Sequence, residues 1–521
     1  MLRHALVSIL ASGPLSAQLG SVLGEQKIST LEGGFGAGLD PSDGLGWSAA
    51  PLGDLDGDGI IDLAVSTPSG DDGGASQGAV WILFLRADGT VRAKQKISDL
   101  AGGFNGNLDP GDGFGDSLCG LGDLDGDGVE DLAVGASADD DGTVDRGAIW
   151  ILFLNANGTV KSHQKISEDQ GWPGNHLATR DFFGTSCAAL GDLDGDGLTD
   201  LAVGATFDDD GNLNQGAVWV LFLNANGTVK DHQKISETAG GFTGVLDPDD
   251  RFGSALASPG DLDGDGLPDL AVGASLDDDG PSGGSGAVWI LFLDVDGRVK
   301  SHQKISPTAG GFTGTLERND NFGFALELAG DLDGNGVGDL FVGAPLSSDG
   351  ATHAGSLWLL LLNSDGTVRR NRKISATEGG FGGSLSESDQ FGVSLANLGD
   401  LDGNGIVDLA VGANLDDDGG INMGAAWVLF LEGDTMPPRI LAPHVVVELS
   451  AKGTPPSGAI VNFTVGVVDD ADPAPSVVCV PPSGSFFPYG KTIVTCTATD
   501  AAGNQAVRTF PVVVGPSARP Y

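Results

Sequence analysis

One acidic nine-residue segment occurs six times in this chain, and it is where side chains could do chemistry together. The copies begin at Asp54, Asp123, Asp192, Asp261, Asp331 and Asp400, at intervals of 69 or 70 residues. Oxygen-bearing side chains stand at positions 1, 3, 5 and 9: Asp54, Asp56, Asp58 and Asp62; Asp123, Asp125, Asp127 and Asp131; Asp192, Asp194, Asp196 and Asp200. The later copies supply Asp261, Asp263, Asp265 and Asp269; Asp331, Asp333, Asn335 and Asp339; and Asp400, Asp402, Asn404 and Asp408. Gly at position 6 permits a sharp turn, which would aim these groups inward with the main-chain carbonyl of position 7: Ile60, Val129, Leu198, Leu267, Val337 or Ile406. Hard oxygen donors of this number suit Ca²⁺, whereas Mg²⁺ demands a tighter octahedron with several waters. Without His or Cys in the set, zinc is disfavoured. A helix-flanked EF-hand is excluded because position 12 is not Glu (Val203 in the third copy) and the flanks read Ala-Val-Gly-Ala. The chain is thus expected to hold about six Ca²⁺ ions, more weakly where Asn335 and Asn404 replace a carboxylate.

The overall balance agrees with cation binding. The 521 residues carry 72 acidic and 26 basic side chains, a formal charge of −46, which would be strongly self-repelling without bound cations and makes nucleic acid an excluded partner. The acids fall in short clusters at a fixed interval, unlike a disordered acidic tail. Residues 1–17 read as an export signal: Arg3 and His4, an apolar stretch from Ala5 to Ala11, Pro14, and a small-residue site at Ala17. No later apolar run approaches the roughly 20 residues that cross a bilayer. The expectation is a secreted protein, extracellular or associated with a cell surface, without a membrane anchor.

The elements that must hold the acidic loops follow from the repeat itself. Each unit opens on Phe-Gly (Phe114-Gly115, Phe183-Gly184, Phe252-Gly253, Phe322-Gly323, Phe391-Gly392; Leu45-Gly46 in the first). A short apolar segment, the acidic loop, a run such as Asp200 to Ala205 and a second acidic loop follow. Then comes Val218 to Leu223, an apolar run too short for a helix and rich in β-formers, which reads as a strand covered on both faces. An Asn-Gly turn at 226–227 leads to Gln233-Lys234-Ile235-Ser236, whose Lys suits an exposed edge. Four antiparallel strands repeated six times predict an all-β fold, a six-bladed calcium-binding β-propeller over residues 25–434. The sixth unit lacks its outer strand, while Gln26-Lys27-Ile28-Ser29 stands alone before the first unit. Pairing the two closes the ring.

Phe-Gly, then Asp-x-Asp-x-Asp-Gly-x-x-Asp-Leu, then Gly343-Ala344-Pro345 resembles the FG-GAP repeats that build the N-terminal propeller of integrin α-subunits. The resemblance implies Ca²⁺ in the loop between the first two strands of a blade, on the face away from the ligand. An integrin ring has seven blades and this chain has six units, so the integrin partner surface is not carried over. Strand order by resemblance puts Asp139 to Asp141, Asp208 to Asp210, Asp277 to Asp279 and Asp416 to Asp418 on the opposite face, as a site for a cationic partner or as a solvated acidic face.

Pro437-Pro438 mark a boundary, and residues 437–516 alternate in short β runs. Cys479 and Cys496 lie on two of these runs in a chain expected to be exported, which favours a disulfide. Phe487-Pro488-Tyr489-Gly490 and Thr495-Cys496-Thr497-Ala498-Thr499-Asp500 resemble the hyalin repeat (HYR) domain, an immunoglobulin-like β-sandwich associated with adhesion. Cys119 and Cys187, one position out of step, are expected as free buried thiols on opposite strand faces.

Two functions compete. The first is a non-catalytic, monomeric adhesion or ligand-binding scaffold for an extracellular protein or glycan. The second is a secreted hydrolase or lyase, acting on a polysaccharide or phosphodiester, that uses the propeller as a scaffold. His163, His232 and His302 recur at one position and read as structural. Residues 168–182 depart most from the template, making Trp172, His176 and Arg180 the candidate ligand-binding residues.

Overall fold

The computed structural model describes residues 19–516 apart from 142–143, 173, 175, 280–283, 451–456, 470–471, 473 and 501; the expected export signal lies outside the described residues. Every named element is a β-strand, and among the described residues no helix is long and apolar enough to cross a membrane. Residues 20–332 with 337–431 form one compact unit, and 432–516 belong to a second.

The third repeat shows how sequence sets the sheet. Its strands are Phe183–Gly191, Asp200–Ala205, Ala217–Leu223 and Val229–Ile235, paired antiparallel in chain order. The second and third strands are buried along their whole length. This explains why they read as continuous apolar runs, since each sheet is covered on both faces. The fourth strand alternates, because it lies at the rim. Six four-stranded sheets, one per repeat, make up the fold, a β-propeller.

The strand Ser21–Ile28 adds to Ala425–Glu432, so the sixth sheet is completed by the other end of the repeat. The contact between the sixth and first units copies the contact between other neighbours: Leu45 bridges Gly424 as Phe114 bridges Gly78 and Phe183 bridges Gly147.

Packing between sheets explains the two glycine-bearing motifs. A Cβ on Gly135, Gly204, Gly273, Gly343 or Gly412 of a second strand would overlap the carbonyl oxygen of Gly184, Gly253, Gly323, Gly392 or Gly46, each the glycine of the Phe-Gly or Leu-Gly pair that opens the next unit. Backbone therefore meets backbone at every such junction, and the aromatic beside it is sealed: Phe114, Phe183, Phe252, Phe322 and Phe391 are fully buried. Burial of a side chain of that size contributes roughly 1.5–3 kcal/mol.

The C-terminal unit is a four-stranded sheet with Val446–Ser450 parallel to Gln505–Pro516, flanked by two two-stranded ladders over a shared core that includes Ile440, Phe487, Val494, Phe510 and Val512. Cys479 and Cys496 are directly paired across adjacent strands and joined by a disulfide with an S–S distance of 2.04 Å.

Candidate metal centres

Each acidic loop joins the first and second strands of its sheet. Gly195 and Gly197, at positions 4 and 6 of the third copy, hold φ of 80° and 90°, a region that favours glycine. The turn they make folds the chain around the carboxylate of position 1. In the first copy Asp54 accepts from the main-chain N–H of Asp58 at 2.8 Å and of Gly59 at 2.7 Å. The same contacts recur at Asp123.

The loops bring their carboxylates together. Ligand oxygens of Asp54, Asp56 and Asp58 lie within 4.8 Å of one another, as do those of Asp123, Asp125 and Asp127, and of Asp261, Asp263 and Asp265. In the third and fifth copies the converging sets are Asp192, Asp194 and Asp200, and Asp331, Asp333 and Asp339. The donor set is all oxygen, which fits a hard divalent cation. In the second copy Asp125 Oδ1 is buried with no hydrogen-bond partner, which leaves an acceptor open.

Position 9 has a further duty. Asp62, Asp131, Asp200, Asp269, Asp339 and Asp408 are each fully buried. Asp200 accepts from Leu193 N at 3.0 Å with one oxygen and from Leu223 N at 3.2 Å with the other, tying the loop to the third strand. The tie recurs at Asp131, Asp269, Asp339 and Asp408. Burial pushes Asp200 and Asp131 up to about 6 and Asp62 and Asp339 up to about 7, against the pull of those N–H donors.

Cations from the fourth strand face the loops. Lys161 reaches Asp125 at 2.6 Å and also Asp127; Lys230 reaches Asp194 at 2.8 Å and also Asp196; Arg92 pairs with Asp56 and Asp58, and Lys300 with Asp263 and Asp265. These hydrogen bonds hold Asp127, Asp196 and Asp265 below the usual carboxylate range. In the sixth unit the equivalent place is Leu23, and Asn404 Nδ2 instead donates to Leu431 O at 2.9 Å.

The second acidic loops are occupied from within the fold. Lys165 bridges Asp139 at 2.7 Å and Asp141 at 2.8 Å, with its ammonium 5.3 Å from the centre of the Trp150 ring. Lys234 treats Asp208 and Asp210 the same way, Lys304 takes Asp277 and Asp279, and Lys27 takes Asp416 and Asp418. Burial alone would lower Lys165, but Asp139 and Asp141 outweigh it and hold it above its ordinary value. The Lys expected to guard an exposed edge is therefore a buried cation: the Lys165 side chain is 5% exposed.

Trp172 stands where other units place Phe104, Phe242, Phe312 or Phe381. It packs edge-on against Trp219 at 4.9 Å and against His232 at 5.0 Å, in the place that Phe104 takes beside Trp150 and His163. His176 lies flat on the Trp172 ring at 4.3 Å, and buried Glu168 accepts from the main-chain N–H of His176 and Leu177. Arg180 is exposed, with Nε 3.8 Å from Asp145.

Sequence reasoning missed the axis of the ring. A cavity of about 460 Å³ is lined by the first strands of all six units. The residue after each Phe-Gly or Leu-Gly pair lines it: Trp47, Asp116, Thr185, Ser254, Phe324 and Val393. Six different residues at one repeat position were the overlooked signal. Trp47 and Phe324 meet edge-on at 6.4 Å, and Trp47 Nε1 donates to Asp116 O at 3.2 Å. Burial pushes Glu327, also in the wall, up to about 8.

The cysteines required a correction. Cys119 and Cys187 are free and buried, but they do not point apart: both line the cavity and belong to one packed cluster. Opposite strand faces of neighbouring sheets face each other in a ring.

The FG-GAP repeat family matches residues 45–83, 114–152, 183–221, 252–291 and 322–360, and the HYR domain family matches residues 433–514. Integrin alpha-5 of Xenopus laevis is 36% identical over 240 residues, covering 44% of this chain and 20% of the relative. Integrin alpha-PS2 of Drosophila melanogaster is 31% identical over 265 residues, covering 49% and 16%. Phosphatidylinositol-glycan-specific phospholipase D of Rattus norvegicus is 34% identical over 193 residues, covering 36% and 21%. The chain thus spans about a fifth of the length of these curated relatives.

Proposed function

From a chain built of FG-GAP repeats and a C-terminal HYR domain, we propose an exported, calcium-loaded adhesion or ligand-binding scaffold that acts without catalysis. The observation that carries this reading is the convergence of three carboxylates in successive acidic loops on the same strand connection. Positions 1, 3, 5 and 9, with the carbonyl of position 7, would hold Ca²⁺. The bound ion would supply the counter-charge that the buried position-9 carboxylates need, and so fix the loops against the sheet. Integrin-like and HYR modules are extracellular, which supports an extracellular protein or glycan as partner, reached by a monomeric, secreted or surface-associated protein. Trp172, His176 and Arg180 remain the proposed contact region, on the edge of a buried aromatic cluster.

Metal content by mass spectrometry and melting in chelator against millimolar Ca²⁺ test the scaffold. A pull-down from the native surface, repeated in chelator, tests the partner. No bound metal, together with one melting temperature under both conditions, would overturn the calcium reading. Turnover of polysaccharides or phosphodiesters that is lost on His176→Ala would overturn the non-catalytic one.

A further inference from the structure

We propose that Cys119 and Cys187 are a latent disulfide that staples the second repeat to the third from inside the axial cavity. The first strands alternate in the direction they face. Ser117 Oγ donates to Gly184 O of the following unit at 2.8 Å, and Ser186 Oγ to Gly253 O of its own following unit at 2.7 Å. A Cβ on Gly120 would instead meet the Pro51 carbonyl of the preceding unit. Side chains at the places of Ser117 and Cys119 therefore look forward, and those at the places of Leu118 and Gly120 look back. Cys187 holds the place of Leu118, since Cys187 pairs with Val203 as Leu118 pairs with Val134. Cys119 thus looks forward to the third unit while Cys187 looks back to the second. Their side chains share one packed cluster and one cavity wall.

The offset of one residue that seemed to separate the cysteines is the condition for their meeting. At the same two places the other units carry Ala49 and Ala50, Leu256 and Ala257, Leu326 and Glu327, and Leu395 and Ala396. Both residues line the cavity, and the formed Cys479–Cys496 bridge shows that this chain carries cystine elsewhere.

The oxidant is a small-molecule disulfide. One cysteine, as thiolate, attacks a sulfur of that disulfide and expels a thiolate. The second cysteine attacks the mixed disulfide and expels the other. The two cysteines lose two protons and two electrons, and the reagent is reduced to two thiols.

The test incubates the folded full chain with oxidised glutathione, quenches in acid, unfolds it and counts alkylatable thiols. The expected result is a fall from two thiols to none, a mapped Cys119–Cys187 peptide two hydrogens lighter, and a higher melting temperature. Cys187→Ser should then hold a glutathione adduct on Cys119 and show no such rise. A chain already without free thiols, whose map contains the same peptide, supports the proposal equally. Two persistent thiols, stable separate adducts, or cross-links only to Cys479 or Cys496 would overturn it from the unmodified protein alone.

Discussion

Replacing Lys27 by Met should open the ring at one identifiable seam. Lys27 bridges Asp416 at 2.7 Å and Asp418 at 2.8 Å, with its ammonium 5.3 Å from the centre of the Trp427 ring. Its side chain is 10% exposed and that of Asp416 4%, so the first pair is buried. Breaking a buried pair by removing one partner costs about 3–5 kcal/mol, since a charge is left uncompensated. The second pair adds less, because Asp418 is 31% exposed. Lys165→Met breaks the equivalent pair in the second unit. There the outer strand remains tied to its neighbour by the 155–159 turn, where Asn155 N donates to Thr159 O. The strand Ser21–Ile28 has no such turn and meets its sheet from the other end of the repeat. A loss of about 3 kcal/mol is a factor of roughly 100 in the closed-to-open ratio. Hydrogen exchange of residues 22–29 and 425–431 should therefore quicken by that factor in Lys27→Met, well below the global transition. Asp416→Asn added to Lys27→Met should recover part of the protection. Unchanged exchange at 22–29, or equal release of the 160–166 strand by Lys165→Met, would refute the closure argument.

Asn335→Asp and Asn404→Asp should each tighten Ca²⁺ binding at their own loop, read by calorimetric titration; an unchanged isotherm would argue against position 5 as a ligand. Glu327, with a folded value of about 8 against an ordinary 4.5, favours folding fully below pH 4.5 and loses that contribution as pH rises through 8. Glu327→Gln should accordingly flatten the stability profile between pH 5 and 8.5 and raise stability at the alkaline end, by at most about 5 kcal/mol, the full value of the shift. Trp172→Ala should cost about 3–5 kcal/mol, whereas Trp172→Phe should cost under about 1.5 kcal/mol because Phe104 fills the same place in a neighbouring unit; equal losses would mean that the indole makes a contact the repeat does not explain.

Features repeated along the chain were legible because six copies average out local ambiguity. The Phe-Gly turns, the acidic loops, the doubly covered third strands and the orphan Gln26-Lys27-Ile28-Ser29 strand are of this kind. What stayed hidden was contact between units. The reason for glycine at Gly135 lies in Gly184, almost fifty residues on, and neither position alone shows that the two backbones touch. The partner of Lys165 is a loop some 25 residues earlier, so the sequence showed a polar strand edge where the structure has a buried ion bridge. The cysteine offset was seen and its meaning inverted, because strand parity gives the face and only the ring says what that face meets. The axial wall was missed for the opposite reason: its signal was variation at one place, Trp47 to Val393, in a sequence otherwise read for sameness.

In the second unit burial separates two tiers of Lys–Asp contact, and with it their roles. Lys161 is 35% exposed against Asp125 at 22%, whereas Lys165 is 5% exposed against Asp139 at 3%. An exposed pair contributes about 0–1 kcal/mol, so the Lys161 tier offers little resistance to a divalent cation that claims the same oxygens. The Lys165 tier is shielded from water and salt, and exchanging its ammonium for a metal would strand a buried lysine. Cation binding, on the proposed reading, is thereby confined to the loops between first and second strands, while the loops between second and third strands fasten the rim. The sixth unit has Leu23 where the others carry a competing cation, so its loop surrenders a carboxylate at position 5 but meets no resident ammonium. These two departures oppose each other, so on the proposed reading the loop nearest the closing strand should still take the same ion.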